Sequence, residues 1–128
     1  MTVLYDSSLD IEKLKQIVDE FVNIMFDDVM IGFFFRKADK ERIKEKEFEF
    51  LAEFLGFDIK YTGLLIPEAH QKHYIMGGQF SRRKQILKET LEKFSVSDNL
   101  INIIMEHTEK FRMSIAKTKN SDCKAPSR

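Results

Sequence analysis

Three histidines are the candidates for metal chemistry in this chain. His70 and His73 stand three residues apart in a segment, residues 67–76, that an early proline and its spacing predict as a short helix. Side chains three apart share one helix face, so this pair could hold a metal ion. No third ligand follows at a fixed spacing, so the pattern does not define a zinc site. His107 flanks the apolar face of the last predicted helix, which is typical of a residue at the edge of a core.

Glu47 is the second candidate, because it occupies a position on the apolar stripe of a predicted helix that includes Ile43 and Phe50. A carboxylate is costly to bury there unless it is paired or hydrogen-bonded. Two interpretations are open. The side chain lies at the rim and pairs with a lysine such as Lys44 or Lys46, or it has a role inside a pocket.

The other polar residues form no familiar catalytic arrangement. The sequence contains no pattern typical of a Ser-His-Asp triad, a phosphate-binding glycine loop, a dinucleotide turn or a cysteine-based zinc site. The single cysteine, Cys123, excludes an intramolecular disulfide and stands in a polar C-terminal stretch. A basic cluster at residues 82–84 is typical of the solvated start of a helix.

Charge and length narrow the class of protein further. The 128 residues include 21 basic and 21 acidic ones, which leaves no net charge to attract nucleic acid or an anionic membrane, so we expect neither partner. No apolar run approaches ~20 residues, and the first residues have no basic segment followed by an apolar core, so we expect neither a spanning helix nor a signal peptide, and a cytoplasmic protein. We predict one domain over residues 1–117 and a polar tail over 118–128.

The composition and periodicity predict an all-α protein. Twelve Phe accompany only three Tyr, five Gly and two Pro, which indicates a ring-rich interior and few turns between strands. Helical spacing begins after Asp10, a predicted N-cap, and the pattern leaves open whether there is a break between a first and a second short helix. The apolar run at 29–35 is predicted as a helix of one or two turns. Asp39 opens a long charged helix that Gly56 ends.

Two further helices are predicted after the short histidine-bearing one, which Gly77 and Gly78 are expected to close. Each has one apolar face, and either Ser97 or Asp98 is expected to cap the second. The first face holds Phe80, Leu87, Leu91 and Phe94, and the second holds Leu100, Ile104, Phe111 and Ile115.

Several short segments occur in an order that resembles one family. They are LYD near the start, IVDEF, FFF, KEKEFEFLAEFLG, YTG, and AH nine residues after the first Tyr of that YTG. Together, from about Leu4 to Lys117, they resemble the truncated haemoglobins, and most closely their group I, which the absence of Trp also fits. The resemblance implies a truncated globin fold, a two-over-two helical sandwich around a haem pocket, with haem b (iron protoporphyrin IX) as cofactor.

Residue by residue, the resemblance makes His70 the proximal ligand of the haem iron, a role that a neutral imidazole suits. Phe35 falls where the family packs a ring on the haem. The other pocket residues that it implies are Val22, Ile43, Lys46, Glu47, Phe50 and Leu51 on the distal side, Ile66, Ile75 and Phe80 on the proximal side, and His73 near a propionate.

Two distal positions depart from the family's usual pattern. The family commonly has Tyr at the place of Val22 and Gln at the place of Glu47, and both hydrogen-bond to bound oxygen. Val22 donates nothing, and an ionised Glu47 only accepts, whereas a protonated Glu47 would donate. Losing such a hydrogen bond costs ~1.5 to 3 kcal/mol, so we do not expect high oxygen affinity.

The resemblance implies that diatomic gases (O2, NO, CO) bind at iron opposite His70, for nitric oxide and oxygen chemistry or for sensing. An enzymatic role would be nitric oxide dioxygenation to nitrate with an unknown reductase, although Val22 argues against efficient turnover. The alternative is a six-coordinate redox or electron-transfer protein with Lys46 or another internal ligand. The other interpretation of Lys46 is a contact to a propionate. A third hypothesis is a globin-fold interaction module without haem.

Overall fold

Four α-helices make up most of the described part of the chain. The computed structural model describes residues 3–63, 75–112 and 116–117. Within these ranges the elements are α1 (Ile11–Asp27), a 3-10 helix (Gly32–Phe35), α2 (Lys40–Leu55), α3 (Gly77–Lys93) and α4 (Asp98–Glu109), with a two-residue parallel pairing of β1 (Ile75–Met76) and β2 (Ala116–Lys117). The predicted all-helical fold is confirmed.

The helix ends follow the signals in the sequence. At three N-caps a side-chain oxygen accepts the backbone N–H three residues on, and the pairs are Asp10 with Lys13, Asp39 with Arg42, and Ser97 with Leu100. Helix α2 ends at Gly56, whose φ of 98° is in the left-handed region that favours glycine. All of these ends agree with the predictions, Ser97 being the cap of the two candidates.

The apolar core surrounds α1, which contacts both α2 and α3, while α3 contacts α4. The result is two helix pairs, α1 with α2 and α3 with α4, as in a two-over-two arrangement. The inward residues recur at helical spacing along each helix. They include Leu14, Ile17, Phe21 and Met25 of α1, Leu51 and Leu55 of α2, Leu87 and Leu91 of α3, and Leu100 and Ile104 of α4.

The segment before α1 ties the two helix pairs together. The backbone N–H of Leu4 donates to the carbonyl of Leu55 at 2.8 Å, at the end of α2. The Asp6 carboxylate accepts hydrogen bonds from Ser8 and from the Ser97 hydroxyl that caps α4. These hydrogen bonds, those of Ser8 above all, hold the pKa of Asp6 below its ordinary value.

Helix α1 is continuous from Ile11 to Asp27, so of the two possibilities that the pattern left open, the structure has one helix without a break. Its buried residues keep one helical phase from Leu14 to Met25, and one face packs against the core throughout. The predicted short helix at 29–35 is confirmed as the 3-10 helix, in which Phe33 is exposed and Phe34 and Phe35 are partly buried.

The two glycines and the last helix also differ from expectation. The expected role of Gly77 and Gly78 is to close a helix, but they form the first turn of α3, where a glycine costs less than inside a helix. Of the helix expected over 67–76, Ile75 and Met76 belong to strand β1, and the other residues lie outside the described ranges. Helix α4 ends at Glu109, so Phe111 lies beyond it.

None of the described helices is long and apolar enough to cross a membrane.

Candidate functional site

The described ranges contain only part of the predicted site. His70, His73 and Ile66 lie outside the described residues, and for Ile75 only the backbone is described. The proximal ligand and most of its surroundings therefore stay predictions. The distal residues and Phe80 can be placed.

Glu47 forms an ion pair with Arg83 of α3. Both carboxylate oxygens lie 2.9 Å from the Nη2 atom of Arg83, and the two side chains are only 16% and 26% exposed. The guanidinium carbon lies 5.1 Å from the centroid of the Phe21 ring, a cation–π contact. The rim interpretation named Lys44 or Lys46 as the partner, and this is wrong because both lysines pair with other acids.

Lys46 is engaged with the loop that follows α2. Its Nζ donates to the Thr62 hydroxyl and lies 3.4 Å from Glu49. Thr62 in turn donates its N–H and hydroxyl to Glu49 at 3.0 and 2.8 Å, and these bonds lower the pKa of Glu49. The amine is thus held by a loop network in this structure.

Five partly buried rings form a layer between α2 and α4. Two rings belong to α2, one to α4, and one follows each of these helices in the chain. This ring layer consists of Phe50, Phe54, Tyr61, His107 and Phe111. His107 stacks on Phe54 with 3.6 Å between the ring centroids and an angle of 11° between planes. Phe50 meets Tyr61, His107 and Phe111 at 5.3 to 5.8 Å. The layer adds apolar surface at the edge of the core.

His107 has a buried nitrogen without a partner. Its Nε2 atom makes no hydrogen bond in the described part of the chain. Burial, together with the nearby charge of Lys110, lowers its pKa to about 4, so the imidazole is neutral near pH 7. The core-edge interpretation of His107 agrees with its partial burial, but the sequence did not show its stacking among the rings of α2.

The remaining described pocket candidates lie in or beside the core. Val22 and Leu51 are fully buried, and Ile43 packs at the edge of the core. Phe35 stacks with Phe26 at 4.9 Å. Phe80 is 4% exposed, and the Arg112 guanidinium lies 4.8 Å from its ring centroid.

The basic cluster at the start of α3 is not a free charged surface. Each cation pairs with an acid from a different part of the fold, and the pairs are Arg82 with Asp28, Arg83 with Glu47, and Lys84 with Glu109. The Arg82 hydrogen bond lowers the pKa of Asp28, and hydrogen bonds from Arg112 and Lys84 lower that of Glu109 to about 2. The three side chains are partly exposed at the start of α3, as the solvated-face interpretation expects, and each charge is also paired with an acid distant in sequence.

The described side chains alone supply no metal centre. Within the described ranges, no three His, Cys, Asp or Glu side chains lie close enough together to hold a metal ion. Metal chemistry at this site would therefore need residues outside those ranges, or a prosthetic group that takes a single protein ligand.

Comparison with known proteins gives one consistent result. The family model described as bacterial-like globin matches residues 4–117. The crystal structure of truncated haemoglobin from Tetrahymena pyriformis in the Fe(III) form is similar, with 26% identity and a TM-score of 0.75, over 82% of this chain and 95% of that chain. The 2/2 haemoglobin from Synechococcus sp. PCC 7002, in the cyanomet state with covalently attached haem, is 20% identical with a TM-score of 0.81, over 89% of this chain and 98% of that chain, and this shows the shared fold.

Proposed function

The chain belongs to the bacterial-like globin family, and from this premise we propose that it is a haem protein of the group I truncated haemoglobin type that binds O2, NO and CO. The observation that carries the proposal is the family match, which extends over residues 4–117. Haem b is the proposed cofactor and His70 its proximal ligand. When bound, the haem would supply an iron centre for ligand binding and electron transfer.

The described residues fit such a group. The ring layer offers the partly buried aromatic faces that a flat apolar macrocycle needs, and Phe50 lies at its centre. The unpartnered Nε2 of His107 indicates a region whose polar atoms are not all satisfied by the described chain. Phe35, Ile43 and Phe50 would wall the haem, and His73 would lie near a propionate.

The charge pair changes the expected properties of the distal side. An ionised Glu47 alone would repel a partly negative ligand, but its charge is balanced by Arg83 at 2.9 Å. Val22 still donates no hydrogen bond. We therefore propose ligand binding or sensing as the main role, with nitric oxide dioxygenation as the reaction if a reductase acts on the protein.

The alternative, a six-coordinate redox protein with Lys46 as internal ligand, receives less support. The Lys46 amine is bound by Thr62 and Glu49 in the loop after α2. This network favours an open distal site. A low-spin spectrum without added ligand that Lys46→Ala converts to high spin would instead favour the redox protein.

The test is an absorption spectrum of the purified protein in its ferric, ferrous and ferrous-carbonmonoxy forms. We expect a haem band that shifts with carbon monoxide in the wild type and weakens or changes character in His70→Ala. His73→Ala, which removes the neighbouring histidine, is the matched control and should keep the wild-type bands. A wild type without a haem band after reconstitution would contradict the proposal and favour a globin-fold interaction module.

A further inference from the structure

Arg83 retains hydrogen-bonding capacity after pairing with Glu47. Both contacts to the carboxylate come from a single nitrogen, Nη2. A guanidinium carries five N–H donors in a planar fork, and within the described ranges no hydrogen bond engages Nη1 or Nε of Arg83. The ion pair and the contact with the Phe21 ring hold this cation in place while leaving donors unused.

The neighbouring Arg82 has a different arrangement. Its Nε and Nη2 atoms both contact Oδ1 of Asp28, at 2.9 and 2.7 Å, and its side chain is 40% exposed. Asp28 also accepts the backbone N–H groups of Met30 and Ile31, so Arg82 fastens the turn after α1. Two arginines adjacent in sequence thus have separate acidic partners, one at this turn and one on α2.

Arg83 can supply the hydrogen-bond donor that the other residues proposed for the distal side lack. The proposed function places Val22 and Glu47 there, and neither a valine nor an ionised carboxylate can donate a hydrogen bond. Arg83 is bound directly to Glu47 and lies against Phe21, the residue before Val22 in α1. It is therefore bound to one of the two residues that depart from the family's usual pattern, and it contacts the turn of α1 that carries the other.

We propose that Arg83, held by Glu47 as a positioning residue, is the distal hydrogen-bond donor of this protein and makes the pocket selective for small anions and negatively polarised ligands. This inference rests on the proposed haem binding. Hydrogen bonds from a charged donor are stronger than those between neutral groups, and the planar fork of a guanidinium loses less conformational freedom per hydrogen bond than a lysine amine does.

Fluoride titration of the ferric, haem-loaded protein tests the inference. Arg83→Leu should weaken fluoride binding roughly ten- to a hundredfold, the effect of losing a charge-assisted hydrogen bond. Arg82→Leu removes the adjacent cation with its own ion pair, and its fluoride Kd should stay within about twofold of the wild type. Arg83→Lys keeps the charge without the fork and should recover part of the affinity.

A second readout does not depend on anions. In the ferrous carbonmonoxy protein, a positive charge near the carbon monoxide oxygen lowers the C–O stretching frequency. Infrared spectra should therefore show a higher frequency in Arg83→Leu than in the wild type, with Arg82→Leu unchanged.

Arg83→Leu also leaves Glu47 unpaired, so two further variants separate the causes. The double variant Glu47→Leu with Arg83→Leu carries neither charge nor a side-chain donor and should still bind fluoride weakly, while Glu47→Leu alone keeps the Arg83 cation and should bind it more tightly than the double variant. Wild-type fluoride affinity in the double variant, with the haem band intact, would overturn the inference and leave haem binding standing. A wild type that takes up no haem would overturn both.

Discussion

The core around α1 and the ring layer between α2 and α4 are built in different ways. Leu14, Ile17 and Phe21 are 0% exposed, and the core they belong to is almost wholly apolar. In the ring layer every ring is only partly buried, and the imidazole nitrogen of His107 lacks a partner in the described chain. The side chains of the core bury one another completely. The ring layer, in contrast, has apolar faces and a polar atom that a bound group could cover.

This difference separates the residues that stabilise the fold from those that we propose to bind haem and its ligands. Substitutions in the core should act mainly on the free energy of unfolding. Substitutions in the ring layer and in the Glu47–Arg83 pair should act mainly on haem and its ligands.

The largest effect is expected from a cavity in the core. Leu14→Ala should lower the free energy of unfolding by about 2–5 kcal/mol, because the fully buried site cannot collapse around the missing atoms. Urea denaturation of the haem-free protein measures it. Phe50→Ala, a larger truncation in the ring layer, should cost less; an equal or greater loss would remove the distinction between the two regions.

The second effect is a pH dependence of the free energy of unfolding, which originates at His107 in the ring layer. The pKa of His107 is lowered by burial to about 4 from its ordinary 6.5. The unfolded chain therefore takes up a proton below pH 6.5 that the folded chain takes up only near pH 4, and stability falls as pH is lowered through this window. The loss should reach about 2–3 kcal/mol.

His107→Phe, which keeps a stacked ring without a titrating nitrogen, should remove this part of the decline. Denaturant unfolding of both proteins at several pH values from 4 to 7 measures the difference. Parallel curves for the two proteins would show that His107 contributes nothing to the pH dependence.

The third effect concerns haem retention. Phe50→Ala should release haem roughly tenfold more readily, because an aromatic face against the macrocycle is lost. Transfer of haem to an excess of an acceptor protein, followed by absorbance, gives the rate. Phe33→Ala truncates a Phe outside the ring layer that is 47% exposed, and it should leave the rate unchanged. Equal rates for both variants would argue against the ring layer as the haem wall.

How far the sequence predicted these regions depends on the range of the interactions. Helix starts at Asp10, Asp39 and Ser97 depend on a side chain and an N–H three residues away, so local patterns found them. The pairing of Glu47 with Arg83 joins residues 36 apart, and no local pattern carries that information.

The resemblance supplied both the fold and the pocket residues, while the apolar pattern of α2 supplied independent information on one of them. The placement of Glu47 on an apolar stripe did signal a partly buried carboxylate, which the structure has at 16% exposure. The pattern could not choose its partner, because three cations lie within a few residues at the start of α3. The stacking of His107 on Phe54 was missed because the two rings belong to different helices, and no local sequence pattern reports a contact between helices.

The smallest effect is expected where α3 and α4 are joined by charges. Glu109 accepts from Lys84 at 2.7 Å and from Arg112, which lowers its pKa to about 2. Its side chain is 42% exposed, so Glu109→Gln should cost less than about 1 kcal/mol at pH 7. The stabilising effect is present above pH 4.5 and is lost as pH falls towards 2, so the variant and the wild type should converge there in denaturant unfolding. A gap that persists at low pH would mean that another interaction is involved.

Titration of the haem-free protein with haemin, followed by absorbance of the haem band, is the most direct test of haem binding at His70. We expect a steep rise that ends at one haemin per chain in the wild type and is lost or weakened in His70→Ala. Absorbance that increases without a break at one equivalent, and equally in both proteins, would contradict it.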